Sequence, residues 1–392
     1  MRRLLVVSYY TPPLGLSGVM RVTKLCKFLP DFGWRPLILT VKPAAYYYYD
    51  PALSADLERS RIFRTESLDP ARLLNRLRFR GRRLKPALSR SLGRGPRLLN
   101  YLLFPDSKAG WLPFGSVAGR HLIDRERPAA ILATGPPFTA LLLGVRLKAH
   151  AHVPLVLDFR DPWPAGFVPP PPHQRPLVRR LRRYLVDHAD LTLAVNDGTA
   201  RAVGEGVTVL DNGFDPTDFE APAQSLEGFS VVHVGNVWQT EAEMLSAADE
   251  VEAVPDAHLH VVGRVSGELR RRLGDRPRIH LSGPLAHAHA CRVMKGADVL
   301  LYVGKPGQPV GLKLYEYLGA RRPVVVWGEG ADEATRLVEE AGAGLACRKP
   351  GALTQALVRL RSDPGRYAGG SRQRFDRRWQ AQWLAGRIES LL

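Results

Sequence analysis

Apolar runs of four to seven residues recur along this chain, and the clearest are followed by a glycine or proline turn and then by helical spacing. From Ala297 to Val303 the run reads ADVLLYV, the turn GKPGQPV follows, and a helix starts near Gly311 with Leu314, Tyr317 and Leu318 as its inner stripe. The amino terminus repeats the pattern. Leu4–Ser8 leads through YYTPPLGLSG into a helix from about Val19 to Leu29, with Val19, Val22, Leu25, Cys26 and Leu29 facing inward, and Pro36–Val41 is the next strand. Strands this apolar are buried on both faces, and strand–helix alternation places them in a parallel sheet covered by helices. Further strands are predicted at Ala130–Thr134, Leu155–Phe159, Leu191–Val195, Gly206–Leu210, Phe229–Val234, His258–Val262, Val324–Trp327 and Gly344–Cys347. A chain of 392 residues exceeds one ordinary core, so two domains are expected.

No apolar stretch approaches the roughly 20 residues that span a bilayer, because Ala129–Val145 is broken by Gly135-Pro136-Pro137. The start, MRRLLVVSYYTPP, reads as a strand, its apolar run being too short for a signal segment. Cys26, Cys291 and Cys347 lie far apart, which argues for a reducing compartment, and the expected location is cytoplasmic. His287, His289 and Cys291 alternate, but a helix there throws them onto different faces, and no metal is expected.

Charge is unevenly placed. Residues 1–210 hold 33 Lys/Arg against 15 Asp/Glu, whereas residues 211–392 hold 23 of each. Arg59–Arg97 alone carries 13 basic residues beside Glu66 and Asp69, and leucines 73, 74, 77, 84 and 88 are interleaved with them as in a basic amphipathic helix. Such a one-sided field suits either water or an anionic partner. No helix-turn-helix, zinc module or aromatic RNA-binding strand is visible, so nucleic acid is the less expected partner and an anionic membrane leaflet the more expected one.

Lys313 and Glu316 sit three apart at the amino end of the helix that follows ADVLLYV, where unpaired backbone N–H groups attract anions. The stretch GKPGQPVGLKLYEYLGARRPVV resembles the nucleotide-sugar site of retaining glycosyltransferases of the GT-B fold, in the glycosyltransferase family 4 group. VLDFRDPW at Val156–Trp163 and NGFD at Asn212–Asp215 are similar to the same group. The resemblance implies two doubly wound Rossmann-like α/β domains facing each other across a cleft. The implied divisions are a basic acceptor-side domain at 1–215, a linker at 216–228, a nucleotide-sugar domain at 229–365, and a final helix in 366–392 crossing back to the first domain.

In that resemblance Glu316 accepts hydrogen bonds from ribose hydroxyls and Lys313 neutralises the pyrophosphate, helped by amides at Gly311 and Leu312. The donor site would also include Gly18 of the GLSG loop, Gly235 and Asn236 of the second domain's opening turn, and Gln308. Many relatives carry a glutamate at the Gln308 position, eight residues before Glu316, and a basic residue soon after the glycine matching Gly235. Here the turn runs GNVWQTEAE, and Arg264 in VVGR is the candidate substitute. Arg160 and Asp161, at the end of a parallel strand where α/β folds build sites, are catalytic candidates on the acceptor side together with Lys313. The competing reading has Arg160 bridging its own carboxylates to hold the turn.

The implied activity is transfer of a sugar from a nucleotide-diphosphate sugar to a glycan or lipid-linked acceptor, with retention, with no metal and no cofactor. Its place is the inner face of the cell membrane, in polysaccharide biosynthesis. The alternative is a catalytically silent GT-B protein that binds a nucleotide or glycan, suggested by Gln308 and the turn after Gly235.

Each basic residue near an anionic surface contributes about 1 kcal/mol, an attraction that fades within a Debye length. Replacing Arg76, Arg80, Arg82 and Arg83 by Gln is therefore expected to abolish salt-sensitive flotation with anionic vesicles. Donor binding should be unaffected, since Lys313 and Glu316 lie in the other half of the chain. Unchanged flotation would leave these arginines as a solvated face.

Overall fold

The computed structural model describes residues 1–15, 17–43, 51–69, 103–163, 171–304, 306, 310–367 and 369–392. The tyrosine run at 46–49, Gln308 and the basic stretch beyond position 69 up to 102 lie outside these residues. Among them, contacts divide the chain into two compact units: Met1–Asn212 with Gln380–Leu392, and Gly213–Trp379.

The first unit holds a parallel sheet of seven strands: β1 (Arg2–Ser8), β2 (Trp34–Val41), β3 (Arg61–Thr65), β4 (Ala130–Gly135), β5 (Leu155–Phe159), β6 (Leu191–Ala194) and β7 (Val207–Val209). Their spatial order is β3-β2-β1-β4-β5-β6-β7. The second unit holds six: β8 (Phe229–Val234), β9 (Ala257–Val262), β10 (Ile279–Gly283), β11 (Val299–Val303), β12 (Val324–Trp327) and β13 (Gly344–Cys347), in the order β10-β9-β8-β11-β12-β13. Both sheets wind outward in two directions from their first strand, the doubly wound arrangement. The order reverses between β1 and β4 in one unit and between β8 and β11 in the other. The connections leaving these neighbouring strands run to opposite sides of the sheet there, which leaves a crevice for a ligand at the strands' carboxyl ends.

The predicted strands are all present, and those at Leu155–Phe159, Phe229–Val234, Val324–Trp327 and Gly344–Cys347 have the predicted limits. Two more, β3 and β10, form one edge of each sheet. Their burial is partial because charged and polar residues interrupt the apolar run. Residues 216–219 of the expected linker form a short 3-10 helix capped by Asp215, whose side chain accepts from the Thr217 amide.

Helix Ser17–Phe28 packs on the first sheet through Val22, Leu25 and Cys26, and it carries Arg21 into the interior. The Arg21 guanidinium donates to Asp158 on β5 at 2.8 Å and to the Asp211 carbonyl at 2.8 Å, and Thr134 on β4 donates to the same carboxylate at 2.8 Å. Burial alone would raise the Asp158 carboxyl, but Arg21 and Thr134 hold it below the usual carboxylate range. On the same side, Ala381, Leu384, Ala385 and Ile388 of helix Arg377–Glu389 pack with Leu4, Val6, Val22 and Leu25. The Gln380 amide donates to the Asp211 carbonyl at 3.1 Å. All three cysteines are buried and free, and among the described residues no helix is long and apolar enough to cross a membrane.

Removing one partner of a buried, hydrogen-bonded ion pair strands the other charge at a cost of about 3–5 kcal/mol. Arg21→Met should therefore lower the first unit's unfolding free energy, read from urea titration at pH 7, by an amount in that range. A change under about 1 kcal/mol, the scale of a surface pair, would show that Asp158 is not held this way.

Candidate functional site

At the strand-order reversal of the second sheet, β8 and β11 are neighbours. After β8 the backbone at Gly235 takes φ +133°, a conformation that side chains rarely allow. A Cβ on Gly263, which follows β9, would lie 2.2 Å from the Gly235 carbonyl oxygen, so the two turns stack backbone on backbone. Asn236 secures this stack, its side-chain oxygen accepting from the Arg264 amide at 2.9 Å. The Arg264 side chain itself is exposed.

After β11 the chain enters helix Leu312–Ala320 with Gly311 as its extended N-cap. Leu314, Tyr315, Tyr317 and Leu318 are buried, adding Tyr315 to the expected stripe. The Tyr317 hydroxyl accepts from the Val234 amide at 2.7 Å, which pins this helix to the end of β8. Gly319 lets the helix lie close to the linker, since a Cβ there would meet Phe219 at 2.5 Å and Phe214 at 2.7 Å.

Lys313 runs over Gly235, where a Cβ would sit 3.0 Å from its Cδ, and its ammonium lies 5.1 Å from the centre of the Tyr302 ring. No carboxylate among the described residues pairs with it. Burial pushes its pKa down to about 8. Behind it, burial and the Lys313 charge push buried His233 well below the usual imidazole range, so that ring is neutral.

Lys313 and Glu316 share a helix, yet the structure turns them to different partners. Glu316 Oε1 lies 3.0 Å from His287 Nε2, whose other nitrogen is 3.9 Å from Asp218. Cys291 Sγ lies 3.8 Å from the same His287 nitrogen. Hydrogen bonds to Cys291 and Glu316 push His287 up to about 11. This group was missed in the sequence because His287, His289 and Cys291 were expected on separate faces. Helix His287–Gly296 sends only His289 elsewhere, to Gln224 at 2.7 Å, while His287 and Cys291, four apart, share a face.

In the first unit, the structure brings Gly18 and Arg160 together. The Arg160 guanidinium donates to the Gly18 and Pro136 carbonyls and is almost fully buried. A Cβ on Gly18, in the first turn of helix Ser17–Phe28, would meet that guanidinium at 2.5 Å, so a larger residue there would displace the tip of the Arg160 side chain. Arg160 thus braces two loops through carbonyls, while Asp158 belongs to Arg21. Neighbouring protein pushes the exposed Asp161 carboxyl up, against the lowering effect of Arg160. A separate hollow of about 640 Å³ at the ends of β2 and β3 is lined by Lys42, Arg64, Phe114 and Val117 among others.

The family profile described as Glycosyl transferases group 1 matches residues 228–363, and the one described as Glycosyl transferase 4-like domain matches residues 18–210. No curated protein matches the sequence. Several solved structures share the whole fold at low identity. Anabaena Alr3699/HepE, solved in complex with UDP and glucose, is 18% identical with a TM-score of 0.61, and 100% of each chain is covered. A sucrose-phosphate synthase from Thermosynechococcus elongatus is 16% identical at 0.63, covering 100% of this chain and 99% of that one. A putative UDP-N-acetylglucosamine 2-epimerase from Listeria monocytogenes is 12% identical at 0.60, covering 99% and 96%.

The φ of Gly235 and its contact with Lys313 make Gly235→Ala costly by about 1–3 kcal/mol. Gly267, in the first turn of helix Gly267–Leu273 with nothing within 4 Å of a Cβ, is the control. Chemical denaturation should show a clear loss for Gly235→Ala and little change for Gly267→Ala; equal effects would deny the close approach.

Proposed function

The chain belongs to the GT-B glycosyltransferases, with a 4-like first half and a group 1 second half, and from that membership we propose that its second unit binds a nucleotide-diphosphate sugar as donor. One observation carries this reading: Lys313 is a desolvated ammonium with no carboxylate partner among the described residues, placed where the strand order reverses. A diphosphate there supplies the missing countercharge, and the first amides of helix Leu312–Ala320 add to the positive field.

During transfer the bond from the anomeric carbon to the diphosphate oxygen breaks, and the acceptor hydroxyl forms the new bond. Lys313 and the helix amides stabilise the negative charge growing on the leaving diphosphate without a metal ion. Retention follows if the departing phosphate takes the acceptor's proton on the same face of the sugar. Glu316, oriented by His287, has a second oxygen for the donor's ribose. Asp161 is the acceptor-side carboxylate of this reading, and its pKa is raised by desolvation, the direction that helps a carboxylate hold a proton. Gly18 and Arg160 shape the loop beside it.

The acceptor is a glycan or lipid-linked sugar, in polysaccharide biosynthesis at the cytoplasmic face of a membrane. The hollow beside Lys42 and Arg64 supports it, being mostly apolar with basic groups at its edge. So does helix Arg175–Asp187, which exposes Arg179, Arg180 and Arg183 together with Leu177 and Tyr184. A catalytically silent binder is the second reading, favoured by the His287 hold on Glu316. Hydrolysis of donor by purified protein separates the two.

Thermal stabilisation by a panel of sugar nucleotides tests the donor site, since a ligand bound only to the native state raises its stability. Glu316→Gln should weaken donor binding by about 1.5–3 kcal/mol, the range for a hydrogen bond to a charged group. Lys313→Ala should chiefly lower turnover, because its interaction strengthens as the leaving group departs. The cationic form of Lys313 dominates below its pKa of about 8, so nucleoside diphosphate affinity should be greatest below that pH and decline above it. Calorimetry showing no decline above pH 8, or near-normal kinetics in both variants, moves the donor elsewhere.

A further inference from the structure

Histidines 258, 260 and 280 form a group outside the donor site. His258 and His260 are two apart on β9 and so point to one face of the sheet, and the parallel register sets His280 of β10 beside His260. The three rings stack, His260 on His280 at 4.5 Å between centres and His258 on His280 at 5.3 Å. Nδ1 of His258 and Nε2 of His280 are 2.9 Å apart. The segment entering β8 completes the group. At Gly228, with φ +59°, a Cβ would meet the His258 ring at 2.4 Å, so the backbone runs flat against that imidazole and delivers Glu227 beside it.

We propose that Glu227, His258 and His280 bind a divalent transition-metal ion of the zinc type. One ligand atom from each of the three lies within 4.8 Å of the other two. Two nitrogens on one tetrahedral zinc, each about 2.0–2.1 Å from it, are about 3.3 Å apart. The His258–His280 pair is already within about half an ångström of that spacing, and a small opening of the hydrogen bond admits the ion. On binding, His258 carries its proton on Nε2 and His280 on Nδ1, which leaves the two facing lone pairs for the metal.

Imidazole nitrogens and one carboxylate favour zinc and its neighbours over magnesium or calcium, which prefer oxygen ligands throughout. The fourth position faces a cavity of about 320 Å³ lined by Glu227, His260, His280 and Ser282, which gives water room to complete a tetrahedron and the ion a way in. His260, nearly buried, adds a second sign of polar purpose: its Nε2 has no hydrogen-bond partner among the described residues. A water on the metal is the partner this nitrogen lacks. Bound metal would tie the segment before β8 to the two outermost strands on that side of the sheet. This site shares no residue with the proposed donor site, so either can fail alone.

The test uses the full chain without a histidine tag, stripped with a chelator and titrated calorimetrically with zinc chloride. One equivalent is expected to bind with micromolar or tighter affinity and to raise the thermal midpoint, while magnesium chloride does neither. His280→Gln, in a half-buried ring that the fold tolerates better than a change at His258, should weaken zinc by more than the roughly 10–100-fold cost of losing an outer-sphere partner. Glu227→Gln should weaken it as well, and His289→Gln, in the same cavity, should not. Circular dichroism of each variant verifies its fold. Absence of saturable zinc binding in the wild type overturns the proposal, as does binding unchanged in a folded His280→Gln.

Discussion

Parallel strands cannot be joined by tight turns, and each return helix must cross over one face of the sheet with the same hand. That constraint produces both halves of this protein. Starting from a central strand, the chain can cover both faces only by winding first one way and then the other. The connections leaving β1 and β4, and those leaving β8 and β11, therefore part company at the strands' carboxyl ends. Glycines at 235 and 263 bring the neighbouring backbones into contact beside this gap, and the Tyr317 hydroxyl fixes the helix that delivers Lys313. The geometry of the candidate site follows from the winding, and a few small or polar residues tune it.

Two buried cations show opposite electrostatic solutions. Arg21 has its carboxylate, a backbone carbonyl and a helix to hold it, and the carboxylate has Thr134 as a further donor. Every part of that network is engaged, as structural ion pairs require. Lys313 is desolvated over an aromatic ring with a neutral histidine behind it and, among the described residues, no counterion. A charge left in that condition lowers stability, and its persistence fits a site completed by an anionic ligand.

The central strands were legible because residues such as Val299–Val303 and Val324–Val326 are apolar on both faces, a pattern short helices do not need. Edge strands β3 and β10 were not, since Arg61, Arg64, His280 and Ser282 break the run. Helix spacing placed Lys313 and Glu316 near one another, but the direction each side chain takes depends on Tyr302, Gly235 and His287, which come from other elements. Arg160 likewise reads as a charge beside carboxylates in the sequence, whereas folding gives it to the Gly18 and Pro136 carbonyls. The histidine stack lay beyond reach for a related reason: periodicity aligns His258 with His260, but only the strand register brings in His280.

The last helix also bears on the order in which the chain can acquire structure during synthesis. Gln380, Ala381, Leu384 and Ile388 belong to the core around β1, although nearly the whole sequence separates them from it. Domains generally fold in the order they leave the ribosome. Here the amino-terminal unit emerges first but lacks the helix that seals one face of its sheet, while Gly213–Trp379 has its own strands and core before that helix is made. The first unit must therefore wait, with apolar residues of β1 and helix Ser17–Phe28 uncovered, until residues 380–392 have been made. Until that helix arrives, the uncovered apolar face of the half made first is the surface most open to aggregation.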